Sequence, residues 1–235
     1  MRLKIMNIKN IGLNKKIVLP EKLTLELAEE TGLHIGDGSM NFYKNGLKNR
    51  GLYQLRGHSI DDKNHYDTRI KSLYRYLYNL NPVMRDMKDT GVYGFQLWSD
   101  SLVHFKPRIL GLPLGNKLNI KIPKLFFSKK DFLVSVIRGI FDTDGCLYLE
   151  PKNKKLYPRI EFKTVSSNLS EQIKKISIIL GLRATKYALI RKERNWNTLY
   201  TVAIRGDKML NKMFELIQPA NFKHVLKFQF YRDNS

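Results

Sequence analysis

The sequence predicts an α+β chain. It is read as two pseudo-symmetric αββαββα repeats, with one helix of each packed on its counterpart and two antiparallel β-sheets forming a saddle. Three observations predict this. The first is an internal repeat: Leu27–Gly38 (LAEETGLHIGDG) and Val134–Gly145 (VSVIRGIFDTDG) each carry an apolar helical pattern ending in Gly-x-x-x-x-Asp-Gly, 107 residues apart. The same offset carries Tyr93 onto Tyr200 and Asp100 onto Asp207. Asn64–Lys71 falls on Ser167–Lys174 at 103, and Lys117 on Lys223 at 106, as changes in loop length would give. The second is a stripe of small residues at every fourth position in both copies: Ala28, Gly32 and Gly36, then Ser135, Gly139 and Thr143. The third is alternation of polar and apolar residues between the helical patterns. The repeats are expected to occupy residues 1–120 and 121–235.

Taken in order, Leu23–Ile35 reads as a helix with Leu23, Leu27 and Leu33 on one face and a stop at Asp37-Gly38. Ser39–Lys44 and Gly51–Ser59 read as a hairpin. Asp62–Asn79 is helical, with Tyr66, Ile70, Leu73 and Leu77 at spacings of three and four. Val83–Lys88 and Val92–Trp98 form a second hairpin around Asp89-Thr90-Gly91, and Ser101–Leu110 is helical. Pro113–Ser128 is the connector. The second copy follows as helix Lys130–Phe141, strands Cys146–Glu150 and Tyr157–Val165, and helix Ser167–Leu180. Strands Arg183–Arg191 and Thr198–Arg205, helix Asp207–Ile217 and a last helix Phe222–Phe230 complete it.

Composition narrows the partners. The 235 residues hold 42 Lys and Arg against 21 Asp and Glu, a net charge of +21, while 43% are hydrophobic. That is enough apolar material for a core, so the charge does not signal disorder. It signals a polyanionic partner, with nucleic acid the usual one and an anionic membrane surface the rival. Residues 1–125 carry +10 and residues 126–235 carry +11, so both halves are expected to meet the same polyanion. No apolar run reaches the roughly 18 residues of a membrane span, and Met1–Asn10 lacks a signal-peptide core. The single cysteine, Cys146, excludes an internal disulfide framework and a Cys-rich zinc site. The absence of a Gly-rich phosphate loop argues against an ATPase.

The small-residue stripes imply a close helix pair. Glycine inside a helix costs up to about 1 kcal/mol relative to alanine. Its use at matching sites points to backbones in contact, with Ala28, Gly32, Ser135 and Gly139 at the interface. A pseudo-two-fold axis then brings Asp37 and Asp144 together at two helix C-termini, where the helix dipole is already negative. Two carboxylates there call for cations between them. Hard divalent ions with oxygen ligands, Mg²⁺ first, suit such a place. The carbonyls of Gly36 and Thr143 are candidate extra ligands.

At this point the residues resemble a family. TGLHIGDG and RGIFDTDG are similar to the two signature helices of a monomeric, archaeal-type LAGLIDADG homing endonuclease, over nearly the whole chain. Gly139-Ile140-Phe141-Asp142-Thr143-Asp144-Gly145 is a close match; the first motif departs at Ile35, where the consensus has an acid. The resemblance implies that Asp37 and Asp144 are the catalytic, metal-binding acids and that Asp142 is structural. It implies site-specific hydrolysis of double-stranded DNA, two-metal chemistry and 3′ overhangs. Mg²⁺ is the expected cofactor, Mn²⁺ a substitute and Ca²⁺ an ion that binds without supporting cleavage. Family members place a basic residue near each scissile phosphate, and Lys117 and Lys223 are the candidates. They lie 80 and 79 residues after their aspartates.

The sheets supply the expected DNA surface. Gln54, Arg56 and His58 share one face of a strand, as do Arg159, Glu161 and Lys163. Gln96, Trp98, Lys186, Arg191, Lys192, Arg194 and Arg205 extend that surface. In a major groove arginine reads guanine and glutamine reads adenine. The turns holding Lys48 and Arg50, and Lys152–Lys155, are expected on phosphates. His34 is expected to be a packing residue and Cys146 a small buried one. The alternative is an intron RNA maturase with the same fold, so the chain's own intron RNA stands as a second expected partner. A monomer needing no protein partner is expected, because the tandem copies already supply the two-fold. No intein splicing blocks are seen at the ends. An intracellular setting is expected: cytoplasmic in a prokaryote, organellar matrix or stroma in a eukaryote.

Overall fold

A computed structural model describes residues 2–3, 17–87, 90–152, 155–191 and 196–234. The expected features at Met1–Asn10 (apart from its residues 2–3), at Asp89, at the tip of the Lys152–Lys155 turn, and at Lys192 and Arg194 lie outside the described residues.

The two copies fold alike. In the first, helix α1 (Leu25–Asp37) leads into strands β1 (Gly38–Asn45) and β2 (Lys48–His58). A helix built of α2 (Lys63–His65), a π-helical segment (Tyr66–Ile70) and α3 (Lys71–Tyr78) crosses back. Strands β3 (Arg85–Met87) and β4 (Val92–Trp98) follow, then α4 (Asp100–Phe105) with a π-helical extension (Lys106–Leu110). In the second copy, α5 (Lys130–Asp144) leads to β5 (Gly145–Lys152), β6 (Lys155–Thr164), α6 (Ser167–Ile179), β7 (Ala184–Leu189), β8 (Leu199–Arg205), α7 (Asp207–Ile217) and α8 (Phe222–Asp233). A short 3₁₀ turn, Lys124–Ser128, ends the connector.

Each copy makes one four-stranded antiparallel sheet, ordered β1-β2-β4-β3 and β5-β6-β8-β7. Their registers agree residue for residue at the sequence offset. Gly38 faces Leu55 as Gly145 faces Phe162, and Leu52 faces Trp98 as Arg159 faces Arg205. One face of each sheet packs on helices. Tyr53, Leu55 and Phe95 fill that side in the first copy, and Ile160, Phe162, Val202 and Ile204 in the second. The alternate residues are left on the open face.

Three local features depart from the expected elements. Both motif helices run on to their aspartates rather than stopping at Ile35 and Phe141. Their last turns are held by the partner helix, and each chain enters its strand directly through an extended glycine, Gly38 or Gly145. Strand β3, an edge strand pairing β4 on one side, begins at Arg85 rather than Val83 and is described to Met87. The helix at Tyr66–Ile70 takes π-helical geometry, an insertion often found at functional sites. Among the described residues no helix is long and apolar enough to cross a membrane.

Candidate active site

The site begins with the contact between α1 and α5. A Cβ on Gly32 would sit 2.2 Å from the Val136 carbonyl oxygen, and one on Gly139 would sit 2.2 Å from that of Glu29. A Cβ on Gly36 would meet the Thr143 side chain. Ala28 and Ser135 are buried in the same helix pair. The small-residue stripes are therefore where two backbones touch, and they force the two C-terminal ends into one place.

Those ends carry Asp37 and Asp144. Asp37 is half-buried, and its Oδ2 accepts a 2.8 Å hydrogen bond from the Tyr66 hydroxyl. Burial pushes the Asp37 carboxyl up to about 7; the charges of Asp144 and Asp62 push the same way, and Tyr66 and Lys223 only partly offset them. The Asp144 side chain reaches solvent at the surface. The protein mass around it still raises its carboxyl above the ordinary range, against the pull of Lys117 and Lys223. Two acids that resist ionising side by side form a donor pair suited to a divalent cation. The described residues gather no third His, Cys, Asp or Glu into one ligand set. The remaining ligands of a cation here would be water or substrate oxygens.

The two candidate lysines are not equivalent, although one sequence offset relates them. The ammonium of Lys117 donates to the carbonyls of His34, Ile35 and Gly36 at 3.2, 3.1 and 2.6 Å. It thereby caps the end of α1. Burial lowers the Lys117 ammonium, opposed by Asp144 and Asp37. This corrects the expectation for Gly36: its carbonyl is taken by Lys117 and is not a vacant metal ligand. Lys223, at the start of α8, instead donates to Oδ1 of Asp62 at 2.7 Å. Asp62 is buried in the turn before α2 and also accepts from the His58 N–H at 2.8 Å and the Asn221 amide at 2.7 Å. Burial pushes the Asp62 carboxyl up, but these partners outweigh it and hold it below its ordinary value.

Asn221 joins the two copies. Its amide nitrogen donates to Asp62 of the first copy and to the Asp142 carbonyl of the second, at 2.7 and 2.8 Å. Asp142 is structural as expected: its carboxylate accepts the N–H groups of Ala220 and Asn221. Burial still pushes it up to about 7. Beneath this lies a second cross-copy link. Glu29 of α1 binds Arg69 and, at 3.4 Å, Arg138 of α5, whose Nε donates to the Ile217 carbonyl. Sequence reasoning missed Asp62, Tyr66 and Asn221. Spacing puts Tyr66 on the apolar helix face, and nothing in the spacing marks where its hydroxyl goes. Asp62 and Asn221 stand in turns, and only the fold brings them together. His34 packs as expected, with Nδ1 3.3 Å from the Tyr53 hydroxyl.

The open sheet faces hold most of the expected DNA-contacting residues. In the first copy Lys48, Arg50, Gln54, Arg56 and His58 alternate along β2, and Gln96 and Trp98 continue the face on β4. Gln96 Oε1 accepts from Gln54 at 3.4 Å and from Arg56 at 3.0 Å. In the second copy Arg159, Lys163 and Arg205 share the open face, and Arg205 donates to Thr185 Oγ1 at 3.2 Å. Arg191 follows β7, donates to the Asn197 carbonyl and lies over the Trp196 ring. Three residues depart from expectation. Lys186 pairs with Val202, so it stands on the helix-side face, where it binds Glu171 of α6 at 2.5 Å. Glu161 has the right face but is only 3% exposed, covered by its own partners. Cys146 is half-buried at the same face rather than enclosed.

Residues 131–218 match the LAGLIDADG-like domain family. The chain is 25% identical over 210 residues to glutamine–fructose-6-phosphate aminotransferase [isomerizing] of Methanocaldococcus jannaschii. It is 22% identical over 138 residues to the replicative DNA helicase DnaB of Rhodothermus marinus. It spans only 17% and 12% of the lengths of these curated relatives. Among solved structures, it matches the homing endonuclease I-DmoI in complex with DNA and Ca with a TM-score of 0.55 and 18% identity. That match covers 81% of this chain and 86% of the other. The LAGLIDADG homing endonuclease I-GzeII in complex with its DNA target gives 0.53 and 11%, covering 90% and 88%.

Proposed function

The chain carries a LAGLIDADG-like domain within the two-repeat fold of LAGLIDADG homing endonucleases, and from that premise we propose that it is a site-specific double-strand DNA endonuclease. The observation that carries this reading is the meeting of Asp37 and Asp144 at two touching helix ends between two sheets whose open faces bear basic and amide side chains. A duplex lying along the saddle would place one strand near each aspartate. Cleavage at two such points gives a double-strand break with 3′ overhangs. The I-DmoI structures with target DNA and Ca, Mn or Mg support a divalent cofactor, which we take to be Mg²⁺, replaceable by Mn²⁺, with Ca²⁺ binding but not supporting cleavage.

The geometry supports the following roles for the chain's own residues. Asp37 and Asp144 would hold the divalent cations. When bound, such ions supply an activated water and charge stabilisation for the leaving oxygen. Tyr66 orients the Asp37 carboxylate. Lys117 and Lys223 keep positive charge beside the acids, where a phosphate gains negative charge during hydrolysis. The sheets hold and read the duplex. One chain supplies both halves of the site, so a monomer suffices. The same kind of segment occupies a small part of two relatives of unrelated names, which fits a unit that moves between hosts.

The test is selection of cleaved duplexes from a random library with Mg²⁺, repeated with Asp37→Asn and Asp144→Asn. Wild-type protein should enrich one long asymmetric site. Each variant should bind that site and fail to make the double-strand break. Enrichment of no duplex, together with tight binding of intron RNA, would favour the maturase reading instead.

A further inference from the structure

The open face of the second sheet is organised around an acid. Glu161 stands near the centre of β6 and is almost fully buried, flanked in register by Cys146 and Ala203. Its carboxylate meets two cations and a phenol. Arg159 Nε lies 2.9 Å from Oε1 as an ion pair whose N–H is not aligned for a hydrogen bond, and Lys163 Nζ lies 3.1 Å from Oε2. The Tyr187 hydroxyl donates to Oε1 at 2.9 Å. Above, Lys163 donates to the Tyr148 hydroxyl at 3.1 Å, and both cations lie against the Tyr148 ring at 5.3 and 5.0 Å. Arg159 and Lys163 are thus held from below by a carboxylate and from the side by an aromatic ring.

Among the described residues the first sheet has no such device. Register places Gln54 where the second copy has Glu161, and Gln96 where it has Ala203. The result there is a neutral amide chain, Ser39 to Gln54 to Gln96, with Arg56 joined at its end. A cation meant only for phosphates gains from freedom and from an unneutralised field, since phosphate contacts position and do not specify. A buried carboxylate beneath two cations does the reverse. It reduces the local field and fixes two rotamers before binding, which lowers the entropy cost of an aligned contact.

We propose that Glu161 is a specificity-determining positioning residue: it presents Arg159 and Lys163 to base edges, so that the half-site under the second sheet is read by fixed cations and favours guanine, while the other half-site is read by amides. The inference rests on the endonuclease reading and deepens it. Guanine is the expected base because its O6 and N7 acceptors match a fixed guanidinium or ammonium.

The experiment selects bound duplexes from a random library with Ca²⁺, using wild-type protein, Glu161→Gln and Arg159→Lys. Thermal melts of each protein establish that the variants are folded. Wild type should enrich a site whose second-sheet half contains fixed G·C pairs. Glu161→Gln should lose discrimination by about 10-fold at those positions alone, with non-specific binding equal or tighter and the other half-site unchanged. Arg159→Lys keeps the charge and should lose the same positions if the contact is to a base edge. Enrichment of no duplex by the wild type would overturn the endonuclease reading, and this inference with it. A wild-type site that both variants select with unaltered preferences would overturn the inference alone, as would an equal loss in both half-sites.

Discussion

The hydroxyl of Tyr66 donates a 2.8 Å hydrogen bond to Oδ2 of Asp37. At the 103-residue offset the second copy has Leu169 in place of Tyr66, a buried apolar residue. The two copies therefore hold their motif aspartates differently, within one fold and one register. A hydrogen bond to a charged group contributes about 1.5–3 kcal/mol. Tyr66→Phe should lower the rate of cutting at the strand served by Asp37 by about 10-fold or more, with the other strand less affected. Strand-resolved cleavage on end-labelled duplex measures this. Equal rates on both strands, each unchanged from wild type, would show that Tyr66 does not act on Asp37.

Asp37 also sets a pH dependence. Its folded-state carboxyl is pushed up to about 7, chiefly by burial and then by Asp144, whereas an unfolded aspartate titrates near 3.9. The folded form therefore binds the extra proton between these values, and the ionised form costs stability as pH rises from about 4 to about 7. In chelator, Asp37→Asn should melt above wild type at pH 8, and the difference should fade by pH 5. The comparison is between the two proteins at each pH, so the similarly raised Asp142 cancels. A variant that melts lower at pH 8 would count against a raised Asp37 carboxyl.

The first copy contains a buried ion pair with no counterpart among the described residues of the second. Glu30 and Lys106 are both fully buried, at 2.5 and 2.8 Å, with Tyr74 and Tyr78 donating to the same carboxylate at 2.6 and 3.0 Å. At the corresponding position α5 has Ile137. Removing one partner of such a pair strands the other. Lys106→Met should cost about 3–5 kcal/mol, read as a lower denaturation midpoint. The double change Glu30→Gln with Lys106→Met should recover part of that loss, because both charges then leave together while an acceptor remains for Tyr74 and Tyr78.

The glycines of the helix pair give a prediction of sign. In an open helix, glycine to alanine stabilises by about 1 kcal/mol. At Gly139 the added Cβ would lie 2.2 Å from the Glu29 carbonyl oxygen, so the helices must separate. Gly139→Ala should instead destabilise by about 1–3 kcal/mol and weaken cleavage by moving Asp37 and Asp144 apart. Chemical denaturation decides the sign, and a more stable variant would remove the close-approach explanation for the stripe.

How much of this is legible in the chain follows from what each signal depends on. The repeat, the strand alternation and the small-residue stripes are local periodicities, and the element order they predict is the one observed. Lys186 shows where alternation stops helping. On an edge strand both faces are partly wet, so a lysine on the helix side reads the same as one on the open side. Glu161 shows another limit. Its burial comes from Arg159, Lys163 and Tyr187, and a polar residue covered by polar neighbours leaves no apolar pattern to detect.

The sequence by itself determined that two copies of one unit exist, that their glycine-bearing helices pair, and that Asp37 and Asp144 end those helices, because backbone contact and helical period constrain residue type at each position. Only the tertiary structure decided that Lys117 caps α1 while Lys223 binds Asp62, that Asn221 ties the copies together, and that Tyr66 holds Asp37. Those roles depend on where a polar atom at the end of a side chain arrives after folding. Residue spacing carries no record of it, since the same offset delivered two lysines to two different partners.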